Sequence, residues 1–169
     1  MRKKLLALSC CLILAMGAFA GCGNNGDEGK EPEKQPPVTE IMNSILESVT
    51  ETGALTDVTE DEYAKEMFKD IFAVEGVTER VIYMNMMNIR TDEIGIIKTE
   101  TAEQAGAVKE AIKKHVEDRI AGWMPGYMPE EIAKMENYTV LEKGNYVLFA
   151  IASDADQKVI AEKFEAAFK

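Results

Sequence analysis

Apolar positions at helical spacing predict two helices in the first part of the folded region. The stretch 38–53 carries one apolar stripe, for which Thr39 is the predicted N-cap and Gly53 the predicted stop. A second stripe follows in 59–72, where Thr59 and Glu62 fit a capping box. The apolar positions of the two stripes are Ile41, Met42, Ile45, Leu46 and Val49, then Tyr63, Met67, Phe68, Ile71 and Phe72.

Farther along, β-branched and aromatic residues predict two hairpins. The first is predicted from strands at 77–89 and 94–99 with "RTDE" between them, and the second turns at Lys143-Gly144-Asn145. Helices with capping signals follow both hairpins, at 101–123 and at 153–168. A short helix is also predicted to start at Pro129, after the first of these long helices.

This order of elements predicts an α+β fold. Two N-terminal helices precede a β-β-α unit that occurs twice, so we expect a four-stranded antiparallel sheet built from the two hairpins. The helices are expected to pack on one face of that sheet. The first predicted strand, 77–89, has apolar residues on both faces, which also indicates a partly covered central strand.

The beginning of the chain predicts export and lipidation. Basic residues at 2–4 precede an uncharged apolar run, 5–20, which is typical of a secretory signal peptide. The small residues Ala20 and Gly21 stand directly before Cys22, an arrangement that resembles a bacterial lipobox. The resemblance implies transfer of diacylglycerol to the Cys22 sulfur and cleavage before Cys22. We therefore expect a lipid anchor at Cys22, on the outer face of the cell membrane.

Three segments follow from this prediction: a signal peptide (1–21), a lipidated tether (22–37) and a single α+β domain (38–169). The tether is rich in Gly, Asn, Pro and charged residues, so it cannot bury enough surface to order itself, and it reaches roughly 50 Å when fully extended. The alternative is a retained transmembrane helix over 5–26, but the Gly and Asn residues at its end are poor spanning residues.

The net charge of the chain limits the classes of partner that we expect it to bind. The chain has 30 acidic and 19 basic side chains, a formal net charge of −11. Such a surface repels nucleic acid and anionic lipid head groups, so no nucleic-acid partner is expected. No cofactor is expected either.

Three blocks of sequence are similar to a known family. They are "YMNMMNIRTDEIGIIK", "YMPEE" and "GNYVLFAIASD", and the similarity covers roughly 60–169. The family resembled is a group of small lipoproteins from Gram-positive-type bacteria, classed as a domain of unknown function. The resemblance implies a lipoprotein signal and an α+β domain, and it implies no activity, cofactor, substrate or functional residue.

Chemically distinctive residues in the domain have ordinary interpretations. His115 lies in the middle of a predicted helix without a nucleophile pattern nearby, which favours a partly buried structural histidine over a catalytic one. Met84, Met86 and Met87 could supply soft ligands to Cu(I), but strand alternation separates Met87 from the other two, and core packing is favoured. The Asp57–Asp61 spacing lacks the glycine and distal glutamate of a calcium loop.

The segment "GWMPGYMPEE" carries the site hypothesis. Trp123, Met124, Tyr127 and Met128 lie in a Pro/Gly-rich connection, and such loops often carry binding residues. The competing interpretation is structural: Trp123 closes the long helix against the core, with Arg119 stacked on it.

The sequence is compatible with two functions, and also with a purely structural or inhibitory lipoprotein that shares the sequence features of the first. The first is a membrane-tethered accessory module of the cell envelope that binds a protein or a small ligand. The alternative is a secreted enzyme that acts on envelope polymers through carboxylates, which requires two acidic side chains meeting in a cleft with raised pKa values.

Overall fold

The computed structural model describes residues 34–169. Six helices and five strands alternate along them in an α+β order. The helices are α1 (Val38–Leu46), α2 (Glu62–Met67), α3 (Lys69–Phe72), α4 (Ala105–Gly122), α5 (Pro129–Glu136) and α6 (Asp154–Ala166). The strands are β1 (Leu55–Asp57), β2 (Val77–Asn85), β3 (Glu93–Thr99), β4 (Thr139–Lys143) and β5 (Tyr146–Ile151).

The strands form one antiparallel sheet in the order β1-β2-β3-β5-β4. The two predicted hairpins are present as β2-β3 and β4-β5, and their inner strands pair so that Gly95 lies opposite Phe149. The sheet has five strands, and the predicted four is wrong. The additional strand, β1, has three residues, too short for an alternating pattern to reveal it in the sequence.

Helices cover both faces of the sheet, and the prediction that they share one face is wrong. On one face, α1 and α6 pack against Val81, Ile96 and Leu148. On the other, α2, α3 and α4 pack against Ile82, Ile97 and Phe149. The physical reason is that successive strand residues point to opposite faces, and β3 and β5 are buried at nearly every position, so both faces need a cover.

Several local predictions for the N-terminal helices are also corrected. The first helix has Pro37 at its N-cap instead of Thr39. Asp61, and not Thr59, caps α2 by accepting a hydrogen bond from the backbone N–H of Ala64 at 2.9 Å. Phe68 ends this helix and begins α3, so the second predicted helix is two short ones, and β1 lies between them and α1.

The capping signals of the later helices are confirmed. Thr101 and Gln104 form the predicted capping box on a single 3-10 turn (Ala102–Gln104) that leads into α4. Pro129 is the first residue of α5, and the Ser153 side chain caps α6 by accepting from the backbone N–H of Asp156.

One close approach explains a glycine in the central strand. A Cβ on Gly95 would lie 2.1 Å from a ring atom of Phe149 on the neighbouring strand. Glycine at this position therefore lets the Phe149 ring lie across β3 and fill the core on the α4 face.

Candidate functional site

The loop between β2 and β3, residues 86–92, begins at the surface and ends in buried polar side chains. Strand β2 ends at Asn85, so the predicted continuation of this strand to Ile89 is wrong. The loop closes on itself through hydrogen bonds from the Asn85 backbone N–H to the Asp92 carbonyl at 2.9 Å and from Arg90 to Met87, also at 2.9 Å. The last two residues of the loop, Thr91 and Asp92, and the first residue of β3, Glu93, have buried polar or charged side chains.

Glu93 lies at the centre of a buried triad on the α4 face. Its carboxylate is fully buried; one oxygen pairs with the Arg119 guanidinium, and the other lies 2.8 Å from Nε2 of His115. The two partners stand one turn apart on α4, so a single helix face supplies both.

His115 is a buried base that stays neutral near pH 7. Burial lowers its pKa to about 4, against weaker opposing effects of the Met67 carbonyl, Asp118 and Asp70. Its Nδ1 lies 3.3 Å from the Met67 carbonyl, a longer contact than that of Nε2 with Glu93. We therefore assign the single ring proton to Nε2, which donates to Glu93 while Arg119 supplies the counter-charge. The sequence prediction of a structural histidine agrees with this arrangement, although the ring is buried rather than partly buried.

A second ion network fixes the other side of the loop. The buried Asp92 carboxylate accepts from Arg90 Nε at 2.7 Å and from Lys134 Nζ at 3.1 Å. Glu131 of α5 accepts from Lys134 and from both the backbone N–H and the hydroxyl of Thr91. Burial by itself raises the pKa of Glu131, but the hydrogen bonds from Lys134 and Thr91 outweigh it, and the pKa is lowered overall.

The loop is also tied to the segment before β1. The Asn85 side-chain amide donates to the Thr52 carbonyl at 3.1 Å, and Arg90 Nη2 donates to the Glu51 carbonyl at 2.7 Å. Asn85 also accepts, through Oδ1, a hydrogen bond from the Met87 backbone N–H. The loop is thus held by α4, by α5 and by residues 51–52, and this rigidity is what a preorganised site requires.

The outer surface of this loop borders a pocket of about 220 Å³, which we call the methionine pocket. Its walls come from α2, the end of β2, the loop and α4: Tyr63, Met67, Met84, Asn85, Met86, Met87, Asn88, Arg90 and Arg119. Four thioether side chains therefore line one pocket, and the prediction that strand alternation separates Met87 from Met84 and Met86 is wrong because the strand ends at Asn85. Met86 and Met87 are more than half exposed, so the prediction that they pack in the core is also wrong.

The predicted site in the α4–α5 connection is divided between core and surface. Trp123 is half-buried and packs against a small cluster that contains Val116, Met135 and Ile151. Its indole N–H donates to the Tyr127 carbonyl at 2.7 Å, and Met124 and Tyr127 are exposed. Met128 adopts a left-handed backbone, φ 45°, at the start of α5. Arg119 pairs with Glu93 instead of stacking on Trp123.

Sequence reasoning missed the methionine pocket, although one signal was present. "MNMMN" carries three methionines and two asparagines where a hairpin loop has to form, and exposed methionine is typical of adaptable binding surfaces. Neither the charge partners of Glu93 nor the contribution of Tyr63 could be predicted, because they come from helices distant in sequence.

Neither a candidate metal site nor a membrane-spanning helix is present among residues 34–169. Residues 34–169 contain no group of three or more His, Cys, Asp or Glu side chains placed to hold a metal ion. Among the same residues, no helix is both long enough and apolar enough to cross a bilayer. Cys22, the predicted lipidation site, lies outside the described residues, as do the predicted signal peptide and most of the tether.

Residues 52–152 match a family described as a domain of unknown function (DUF4358). The chain belongs to this family. The DUF4358 match contains the whole sheet and every residue of the methionine pocket, whereas α1 and α6 fall outside it. No curated protein and no solved structure matches the chain.

Proposed function

We propose that this chain is a cell-envelope lipoprotein, anchored to the outer face of the cell membrane through Cys22, whose domain binds a ligand or an envelope protein. The anchor is supported by the basic start, the apolar run and the Ala-Gly-Cys sequence at 20–22. A second lipid signal or a second acyl chain would make the anchoring stable.

The observation that carries the binding role is that three exposed apolar side chains, Tyr63, Met86 and Met87, line one pocket. In the described part of the chain, the large exposed apolar residues are Tyr63, Met86, Met87, Met124 and Tyr127. Tyr63 and the two methionines line the methionine pocket, and Arg119 of that pocket lies one turn before Trp123. Glu131, close to the start of α5, ties the neighbouring connection to Thr91 of the loop. Exposed apolar side chains grouped in this way are typical of interaction sites.

Pro36 and the methionine pocket lie at opposite ends of the sheet. The Tyr146 hydroxyl donates to the Pro36 carbonyl at 2.8 Å, so the chain enters the domain near the Tyr146 end of β5. The loop lies at the other end, where Glu93 pairs with Ile151. Strand geometry separates these ends by roughly 17 Å. The chain therefore enters the domain at the end of the sheet that is opposite the methionine pocket.

The alternative function, a carboxylate-dependent enzyme, has less support. The buried carboxylates near the pocket, on Asp92, Glu93 and Glu131, are all paired with cations. The lowered pKa of Glu131 is the opposite of what a general acid needs.

A photo-crosslinking experiment in intact cells tests the proposal. The photoreactive residue p-benzoylphenylalanine would replace Met86 at the pocket or, as the matched control, Glu162 on the exposed side of α6. We expect a discrete, saturable adduct from position 86 and none from position 162. Equal labelling from both positions, or none from 86 at normal expression, would overturn the binding of an envelope protein at this pocket. Release of the protein into the aqueous phase of a detergent partition, with Cys22 unmodified, would overturn the anchor.

A further inference from the structure

The methionine pocket has a charge pattern that the chain as a whole does not share. The chain carries an excess of acidic residues, with a net charge of −11, yet the charged side chains that line this pocket are Arg90 and Arg119. Their carboxylate partners, Asp92 and Glu93, have no exposed side-chain surface and do not line it. Each ion pair is therefore oriented with its positive member toward the pocket and its negative member toward the core.

Both guanidinium groups keep donors for a ligand. Arg90 uses Nε for Asp92 and Nη2 for Glu51, and its Nη1 donates no hydrogen bond to another described residue. Arg119 contacts Glu93 through Nη1, and neither its Nε nor its Nη2 has a hydrogen-bond partner among residues 34–169. Arginine donates in a planar fork that matches the two oxygens of a carboxylate.

The rest of the pocket fits an apolar group of limited size. Met67, Met84, Met86 and Met87 supply flexible thioether walls, and Tyr63 supplies an aromatic one. The volume of about 220 Å³ is below the range of roughly 300–1,000 Å³ that is usual for drug-sized ligands. A single large side chain or a short acyl chain matches this volume better.

We propose that the methionine pocket binds an apolar group that carries a carboxylate, with the apolar part against the methionines and Tyr63, and the carboxylate accepting hydrogen bonds from Arg90 and Arg119. This inference rests on the proposed binding function and names its ligand class. Two sources supply such a group: the C-terminal residue of a peptide and a short-chain organic acid.

Pairs of probes that differ only in charge test the ligand class without changing the protein. N-acetyl-leucine represents a peptide C-terminus and hexanoate a short acid, and their matched neutral forms are N-acetyl-leucinamide and hexanamide. The full-length protein, purified from membranes in nonionic detergent, would be titrated with each by calorimetry. We expect at least one acid to bind at least tenfold more tightly than its amide. Preference for the acyl-amino acid or for hexanoate distinguishes the two sources.

Two variants locate the binding, with a charge control. Arg90→Gln is expected to lower the affinity for the preferred acid by at least tenfold, and Arg90→Lys, which keeps the charge without the planar fork, by a smaller factor. Lys158→Gln removes a positive charge from the exposed side of α6 and is expected to change the affinity less than twofold. Circular dichroism and urea midpoints establish that each variant is folded.

The proposal fails if both acids bind no better than their amides, if neither acid binds saturably, or if Lys158→Gln weakens binding as much as Arg90→Gln. Should the acids fail while crosslinking at position 86 still yields its adduct, the binding function stands and only the ligand class is wrong. Loss of the adduct together with binding of the acids would instead leave the pocket intact and remove the macromolecular partner.

Discussion

The two β-β-α units of this molecule share a topology and differ in what their connections and helices carry. The second unit, β4-β5-α6, turns at Gly144-Asn145 and covers the sheet with Ile160 and Phe164. The first, β2-β3-α4, turns through the loop 86–92 and places His115 and Arg119 against the sheet. The second unit therefore packs mainly apolar side chains on the sheet, and its buried carboxylate, Asp156, accepts from the backbone N–H groups of Thr50 and Glu51. The first unit instead uses buried ion pairs to hold a loop in place.

The difference shows why buried charge belongs to the pocket end. A buried ion pair gives little net stability relative to apolar packing, because desolvation of the two groups offsets their attraction. Its geometry is nevertheless specific, since Glu93 must meet both Arg119 and His115. In the first unit, charged groups thus occupy buried positions where apolar side chains would pack. They contribute less net stability but fix the conformation of the loop.

The largest expected effect lies in the packing unit. Phe164→Ala removes a fully buried ring from the core on the α1 and α6 face, and we expect a loss of about 4 kcal/mol in the free energy of unfolding, measured by urea denaturation. The NMR signals of the Met86 and Met87 methyl groups should remain in place in the folded variant. A shift of those signals would show that the two units are not separable as described.

A somewhat smaller loss is expected when the charge triad is broken. Glu93→Gln leaves Arg119 without its buried counter-charge, and the free energy of unfolding should fall by about 3 kcal/mol. Unlike Phe164→Ala, this change should shift the Met86 and Met87 signals. Glu142→Gln, which breaks the exposed pair with Lys109, is the control and should cost less than about 1 kcal/mol. Equal losses for the two glutamates would contradict the triad.

Stability should also fall on mild acidification, through His115. Because its pKa is lowered to about 4 in the folded protein, the unfolded chain binds more protons between pH 6.5 and 4.5. The free energy of unfolding should therefore decrease by about 2 kcal/mol over that interval. Glu79 and Glu131 have lowered pKa values, so their contributions are lost only below about pH 4.5. His115→Gln should remove most of the slope, and an unchanged slope would contradict the assignment.

The smallest difference in the free energy of unfolding is expected between two variants of the α4–α5 connection. Trp123→Ala removes a half-buried ring from the cluster with Val116, and we expect a loss of about 2 kcal/mol in thermal or urea unfolding. Tyr127→Ala, at an exposed position, should stay within about 0.5 kcal/mol. If both changes leave stability unaltered, Trp123 belongs to the binding surface rather than to the core.

Much of the fold could be predicted from the sequence because local patterns specify it. Both hairpins, the capping box at Thr101, the α5 start at Pro129 and the Ser153 cap depend on residues close together in the chain. The distribution of helices between the two faces could not be predicted. Strands β3 and β5 are buried on both faces, so their sequences do not indicate which helix packs on which face. Strand β1 was missed because three residues carry no usable period.

The site was less predictable for a related reason. The sequence drew attention to the connection at 123–128, where aromatic residues and methionines are adjacent in the chain. The methionine pocket instead assembles Tyr63, the loop 86–92 and Arg119 from three separate elements. The sheet register places Glu93 beside Met84 of β2, and the ion pair of Glu93 with Arg119 joins this end of the sheet to α4.

Methyl NMR of the methionines tests the binding claim most directly. The full-length protein, labelled at the methionine methyl groups and assigned by single Met→Leu variants, would be titrated with N-acetyl-leucine and with hexanoate. The account predicts saturable shifts for Met67, Met84, Met86 and Met87, and none for Met42 and Met135, which are buried outside the pocket. Shifts spread over all of these methionines, or confined to Met124, would contradict it.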